Sequence, residues 1–572
     1  MNELTLPRTP THTLPRPSFW NGRTAVSVAA LLLIGWSVVR TGIGREELVN
    51  SGGWGLAWRF VVAAVQPEIG PDILALTADA TRITLAYAVC GTLLSLLIGL
   101  VGGLLSSEVW WQSIRTAGAG QAEAAAGAPW LAVRGVLAVP RAIHEAVWGL
   151  IFISILGLNP ISAILALAIP FGAITAKVFS EILDETPRGP LTALRNSGAP
   201  ALPAFFYTIL PQALPDLLGY TFYRFECAIR SATILGLIGA GGLGYQILLS
   251  LQSLRYEQMW TFLYALVLLC AATDLWSSRL RWRLNVARQL EVCSLTDAAG
   301  QITQSEAPSR LVRFSLLVAL LLVVYSFWTV GADWTLLWSQ RSLRLLREMG
   351  ANAFPPPLDL PFWTDLGWAA LDTLAMSVLA GAAAGVGGML LAFPAGSNWA
   401  GAEGQSRVSL LVSRLGKLVS RGGLLLTRSI AEPIWALLAM FIFFPGLLPG
   451  AVGLALYNLG VLGRLDAEVV ENLDPRPTRA LLAQGATGMQ AFWYAIWPRA
   501  LPRFIGFTLY RWEVTIRATV VVGLVGAGGL GRMLQEQLVS FDYRRVTATM
   551  LVYFMLTAAV DIASVWARKT LR

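Results

Sequence analysis

The chain has 572 residues, of which 55% are hydrophobic and 13% charged, with a mean hydropathy of +0.60. Soluble globular chains carry roughly a quarter charged residues, so these figures exclude a water-soluble domain and indicate an all-α, polytopic membrane protein. The net charge of +9 lies in loops beside apolar runs, where it reads as membrane topology rather than as a surface for nucleic acid, because Lys and Arg are retained on the cytoplasmic side during insertion.

Long apolar runs separated by Gly, Pro and basic loops predict spanning helices, since a helix satisfies its own backbone groups in lipid. In chain order the expected spans are about 24–42, 82–105, 141–157, 161–180, 216–238 and 258–277, then about 311–330, 368–394, 424–445, 447–465, 504–525 and 545–566. The basic start (Arg8, Arg16, Arg23) shows no cleavage signature, so the first span is expected to be retained. That start, the basic mid-chain (Arg279, Arg281, Arg283, Arg288, Arg310, Arg313) and the end (Arg568, Lys569, Arg572) are all expected to be cytoplasmic. Six spans per half meet this condition and place segments 106–140 and 395–423 on the same side. Arg341, Arg344 and Arg347, interleaved with leucines, are expected in an amphipathic helix on the outer surface. The expected division is a first unit over 1–285, a cytoplasmic linker over 286–310 and a second unit over 311–572.

The two units are copies of each other. At an offset of 287, Arg141, Glu145, Trp148, Glu181, Gly198, Pro211, Pro215 and Asp274 pair with Arg428, Glu432, Trp435, Glu468, Gly485, Pro498, Pro502 and Asp561. Between residues 220 and 245, 14 of the 26 positions are identical to their partners, which makes internal duplication the first fact to explain. An even number of spans per copy makes the copies parallel, related by an axis along the membrane normal.

Each copy has a polar interruption before its fifth span. One carries Ala193, Leu194, Gly198 and Ala199 followed by Pro211; the other carries Ala480, Leu481, Gly485 and Ala486 followed by Pro498. A short helix, a glycine turn, an aromatic-rich second helix and a proline stop would make a cytoplasmic knob. Further on, Gly239, Gly241, Gly242 and Gly244 recur as Gly526, Gly528, Gly529 and Gly531. Their sequence, Gly-Ala-Gly-Gly-Leu-Gly, lacks the Lys-Ser/Thr of a phosphate-binding loop, so it reads as a hinge or a close helix crossing. No phosphate-binding loop is found, and no ATP is expected on this chain.

Arg224, Glu226 and Arg230, with Arg511, Glu513 and Arg517, sit in or beside apolar spans. A charge at the bilayer centre costs at least roughly 2.5–3.5 kcal/mol, so such residues face a partner or a watery path. Glu226 and Arg230 lie four apart and can pair on one helical face, as can Glu513 and Arg517. Each helix still carries two arginines to one glutamate, and Arg suits forked recognition of phosphorus oxyanions. A substrate path and self-neutralising structural pairs both remain open. Glu145 and Glu432, four residues after Arg141 and Arg428, are likewise placed for intrahelical pairs. Cys90, Cys227, Cys270 and Cys293 have no metal-ligand spacing, and neither His12 nor His144 has companions, so no metal or catalytic centre is expected.

The paired Ala-Leu-x-x-x-Gly-Ala and Ile-x-Pro-x-Ala-Leu-Pro segments resemble the coupling loop of type I ABC-importer permeases, although the family's leading glutamate is Thr192 in one copy and Arg479 in the other. Arg141 to Trp148, Arg428 to Trp435, Gly463 to Glu468 and the repeated Tyr-Arg-x-Glu…Ile-Arg segments are similar to signatures of the phosphonate branch of that superfamily. The resemblance implies a tandem parallel repeat of two six-helix type I ABC-importer transmembrane domains, about twelve spans in all. It further implies a multi-pass protein of the bacterial inner membrane that is not itself an enzyme. Its partners would be two ABC ATPase subunits carrying ATP and Mg, a periplasmic or lipid-anchored substrate-binding protein, and a small oxyanion such as a phosphonate or phosphite. A permease for another small substrate, or a secondary transporter with two parallel six-helix halves, is the alternative.

Overall fold

A computed structural model of the protein describes residues 21–44, 50, 52–114, 128–294, 310–396 and 407–571. Arg8, His12, Arg16, Arg572, most of the expected linker and parts of the 106–140 and 395–423 segments lie outside these residues. In the first half the helices are α1 (Gly22–Arg40), α2 (Gly53–Ala63), α3 (Pro71–Ser106), α4 (Glu108–Ile114), α5 (Ala128–Ala142), α6 (Glu145–Leu156), α7 (Pro160–Glu185), α8 (Gly189–Asn196), α9 (Ala201–Leu235), α10 (Gly242–Gln252) and α11 (Tyr256–Ser294). The second half has α12 (Arg310–Val330), α13 (Gln340–Ala351), α14 (Leu360–Ala395), α15 (Arg407–Ser429), α16 (Glu432–Ile442), α17 (Leu447–Glu471), α18 (Arg476–Ala483), α19 (Gly488–Ala491), α20 (Trp497–Val522), α21 (Gly529–Val539) and α22 (Tyr543–Leu571), with α19 and α20 together standing where the first half has α9. No β-strand occurs among the described residues.

Local chemistry accounts for many of the boundaries. Asn159 accepts the N–H of Ile161 and hands on to Pro160 at the first helical position of α7. The amphipathic helix expected around Arg341 is α13, with Arg341, Arg344 and Arg347 exposed and Ser339 as its N-cap. Its repeat partner α2 carries no comparable run of charge and was not anticipated.

Among the described residues eight helices are long and apolar enough to span a membrane, and up to twelve spans result if each of four sharply bent helix pairs counts as one. Two expected spans are corrected by this. Segments 141–157 and 424–445 are not single rods: α5 meets α6 at 83° and α15 meets α16 at 99°. With 12 residues, α6 is about 18 Å long, well short of a hydrocarbon core of about 30 Å.

The proline stop is corrected as well, because α9 runs through both Pro211 and Pro215 and α20 through Pro502. A proline withholds one N–H, and neighbouring packing and local helix adjustment make this tolerable in a membrane helix. Before α20 a π turn, Phe492–Ile496, stands where Pro498 can make no helical bond.

The halves exchange their first helices. Helix α1 lies against α14 and α22 of the second half, and α12 lies against α3 and α11 of the first. Arg40 pairs with Asp372 at 2.7 Å, and the indole of Trp276 donates to Ser315 at 3.1 Å. The short helices follow the same rule: α2 packs on α16, with the N–H of Asn50 donating to the carbonyl of Ile442 at 2.9 Å, and α13 packs on α6. At the seam, Ile143, Val147 and Ile151 of the first half join Val520, Leu530, Leu534 and Tyr553 of the second in one core. Reciprocally, Ile430, Ala431, Ile434 and Leu438 join Ile229, Leu263 and Tyr256.

Candidate functional site

The corners between α5 and α6 and between α15 and α16 organise the seam. Each turns on an extended residue, His144 (φ −65°, ψ 146°) or Ala431 (φ −64°, ψ 148°). Trp148 donates its indole N–H to the carbonyl of Pro140 at 3.3 Å, and Trp435 does the same to Thr427 at 3.1 Å, so each closes the corner it follows. The Arg-x-Ile-x-Glu-x-x-Trp spacing is therefore that of a bend. This corrects the expected intrahelical pairs, since Arg141 and Glu145, like Arg428 and Glu432, lie on different helices. Glu145 instead sits beside His144 at 3.3 Å and accepts from Ser231 at 2.5 Å.

From its corner Arg428 reaches into the first half, to Asp274 at 2.8 Å and Glu226 at 3.4 Å. Arg230 pairs with Glu226 at 3.1 Å, as its spacing predicts. Arg464 binds Asp274 at 2.9 Å and Glu468 at 3.1 Å, so three arginines meet three carboxylates across the seam. The repeat-related side differs. Glu513 and Arg517 do not pair with each other: Arg517 binds Asp561 at 2.8 Å, and Arg568 binds Glu513 at 2.7 Å. Arg141 forms no ion pair among the described residues, and Lys177, which stands where the other half has Arg464, makes a single contact with Glu181 at 3.7 Å. A lysine lacks the fork that lets Arg464 hold two carboxylates at once.

Arg224 and Arg511 take no carboxylate partner among the described residues. Arg224 is 7% exposed, lies over the ring of Phe171 with Cζ 4.0 Å from its centroid, and leaves Nε and Nη2 without a hydrogen-bond acceptor. Arg511 donates from Nε to Oδ1 of Asn458 at 2.5 Å and sits 5.4 Å from the Tyr457 ring.

The glycine segments bend α9 from α10 by 56° and α20 from α21 by 65°. A Cβ on Gly244 would fall 1.9 Å from the Thr233 carbonyl oxygen, and one on Gly531 2.2 Å from that of Val520. Gly239, Gly241 and Gly242, like Gly526, Gly528 and Gly529, take positive φ. The bend is tied down by Thr84, whose hydroxyl accepts the N–H of Leu243 at 2.8 Å, and by Thr373, which accepts that of Leu530 at 2.9 Å.

The knobs are built as the Gly-Ala spacing requires. Ala199 N–H returns to the Leu194 carbonyl and Gly198 N–H to that of Arg195, with Gly198 at φ 87°; Ala486, Leu481, Gly485 and Leu482 repeat the pattern, with Gly485 at φ 88°. Buried Leu191 seats the first knob against Phe205 and Phe179. Ala193 and Ala480 face outward, and Tyr207 (81% exposed) and Tyr494 (77%), at equivalent positions of the two repeats, are bare aromatics on the helices that follow the knobs.

Sequence reasoning missed Asp274, Arg428 and Arg464 as one cluster and Asn458 as the partner of Arg511. The recurrence of Asp274 as Asp561 inside apolar spans was the available signal. Asp466 is fully buried where the first half has Phe179, and neither of its carboxylate oxygens has a hydrogen-bond partner among the described residues.

The sequence profile of the family described as "Binding-protein-dependent transport system inner membrane component" matches residues 127–285 and again 399–572. The phosphate-import permease protein PhnE of Mycolicibacterium smegmatis is 26% identical, with 77% of each chain covered. The phosphite transport system permease protein PtxC of Stutzerimonas stutzeri is 34% identical over 43% of this chain and 85% of its own length. A solved structure titled as an amino acid ABC transporter with histidines is 17% identical, with a TM-score of 0.29, covering 40% of this chain and 97% of that one.

Proposed function

Because the chain belongs to the family of binding-protein-dependent transport system inner membrane components and holds two type I ABC-importer permease repeats, we propose that it imports a phosphorus oxyanion, drawn from phosphate, phosphite and phosphonates, by alternating access. Two ABC ATPase subunits bearing ATP and Mg dock on the knobs at Ala193–Ala199 and Ala480–Ala486 on the cytoplasmic side, where both termini also lie. A separate binding protein delivers the anion to the opposite face. ATP closure drives the knobs together, the glycine crossings at 239–244 and 526–531 flex, and the seam opens alternately to either side. The permease units are 1–285 and 311–572, joined by 286–310. The anion passes the seam on the Arg224 side, while Glu226, Arg230, Glu513 and Arg517 hold the path's walls through their ion pairs and Arg511 does so through its bond to Asn458.

The observation that carries this reading is the pair of identically capped, outward-facing knobs with matching bare tyrosines. The test is co-expression with the cognate ATPase and binding protein. The wild-type complex should take up [32P]phosphate or phosphite and retain the ATPase on purification, and Tyr207→Asp with Tyr494→Asp should release the ATPase without unfolding the chain. Absence of uptake for every phosphorus oxyanion, or ATPase retention unaffected by the double change, would refute it.

A further inference from the structure

The repeats hold the same arginine in opposite states. At Arg224 the two unpartnered donors, Nε and Nη2, form one edge of the guanidinium, the fork that accepts two oxygens of a carboxylate or phosphorus oxyanion. The residue is 7% exposed, and no carboxylate of the described residues lies within ion-pair distance. The face of the group rests on Phe171, an apolar ring that can accept the cation but offers no oxygen to the fork. A buried, charged fork with neither donor satisfied is costly unless something else fills it.

At the repeat position of Phe171 the second half has Asn458. Its amide is fixed by donation from Nδ2 to the Leu454 carbonyl at 2.8 Å and to the Thr515 hydroxyl at 3.1 Å, so its oxygen is turned towards Arg511 and occupies Nε of the corresponding fork. One residue difference thus leaves one fork vacant and engages the other.

We propose that the oxyanion subsite of the seam is one-sided: Arg224 supplies the N–H pair that binds the anion, and Asn458 keeps Arg511 out of that role as a positioning residue. The two halves therefore contribute unequally although their helices superpose in sequence. The identity of the anion rests on the importer reading; the vacancy of the Arg224 fork does not.

The experiment uses the purified full chain in lipid nanodiscs, without partners, and compares its thermal unfolding in inorganic phosphate and in chloride at matched ionic strength. An anion that binds only the folded state raises the midpoint in proportion to ln(1 + [L]/Kd). Phosphate should raise the midpoint of wild type and of Arg511→Gln, and the rise should vanish in Arg224→Gln and in Phe171→Asn, which hands Arg224 the acceptor that Arg511 has. Asn458→Phe, freeing the second fork, should enlarge the phosphate response. The two exchanges at 171 and 458 keep both arginines, so they report even if Arg224→Gln fails to fold. A phosphate response that survives in Phe171→Asn, or that disappears in Arg511→Gln, overturns the proposal. In the complex with ATPase and binding protein, Phe171→Asn should lower initial phosphate uptake at least tenfold. Failure of wild-type uptake would count against the importer reading alone, and wild-type uptake with a phosphate response unchanged by Phe171→Asn would count against the one-sided subsite alone.

Discussion

Replacing Arg428 with alanine tests whether the seam is held by its ion cluster. Arg428 is 8% exposed, and its guanidinium serves Asp274 and Glu226 of the other half at 2.8 and 3.4 Å. Removing one partner of a buried pair costs about 3–5 kcal/mol, because the remaining charge is left uncompensated. Here Glu226 keeps Arg230 and Asp274 keeps Arg464, so the lower end applies: about 3 kcal/mol, or roughly a hundredfold in the folding equilibrium at about 1.4 kcal/mol per tenfold. The control is Arg141→Ala at the same place in the first repeat. Arg141 forms no ion pair among the described residues, so only its packing is lost, which is worth under about 1 kcal/mol. Arg428→Ala with Asp274→Asn restores the balance of two arginines to two carboxylates and should recover about 1 kcal/mol or more. Unfolding of the full chain in mixed micelles, titrated with SDS and followed by tryptophan fluorescence, reads all three. Equal destabilisation by Arg428→Ala and Arg141→Ala, or no recovery in the double variant, would refute the reasoning.

Gly244→Ala places a Cβ 1.9 Å from the Thr233 carbonyl oxygen, so the folded chain should be lost from membranes in expression tests, whereas Gly416→Ala, with nothing within 4 Å, should be tolerated and gain about 0.5–1 kcal/mol. Thr84→Val removes the acceptor of the buried Leu243 N–H and should cost about 1–3 kcal/mol in the same SDS titration, while Thr84→Ser should retain most of it. Cutting the chain at a protease site introduced between residues 295 and 309 should leave the halves together through mild-detergent purification, because α1 lies on α14 and α12 on α3; halves that separate would show that the exchanged helices do not bind them.

Much of the candidate site was legible because its spacing is local. The Leu-to-Ala interval of each knob is the span of a helix C-terminal cap, and the glycine run can only mean a tight backbone path. The pairing of the charges was not legible. An arginine and a glutamate four apart fit one face of a helix, as Glu226 and Arg230 do at 3.1 Å, but the same interval also fits a corner, as at Arg428 and Glu432. Glu513 and Arg517 have that interval inside one helix and still choose Arg568 and Asp561, because a long side chain follows whichever opposite charge the neighbouring helix presents.

Duplication, helical class, approximate spans and the two knobs came from composition and short-range pattern, since a helix, its cap and a glycine turn are set by residues a few positions apart. The exchange of α1 and α12, the right-angled corners beneath Trp148 and Trp435, and the unequal surroundings of Arg224 and Arg511 were decided in three dimensions. Each depends on contacts between residues tens to hundreds of positions apart, such as Arg40 with Asp372 and Arg428 with Asp274. Two repeat-related helices can therefore carry different chemistry when one packs against phenylalanine and the other against asparagine.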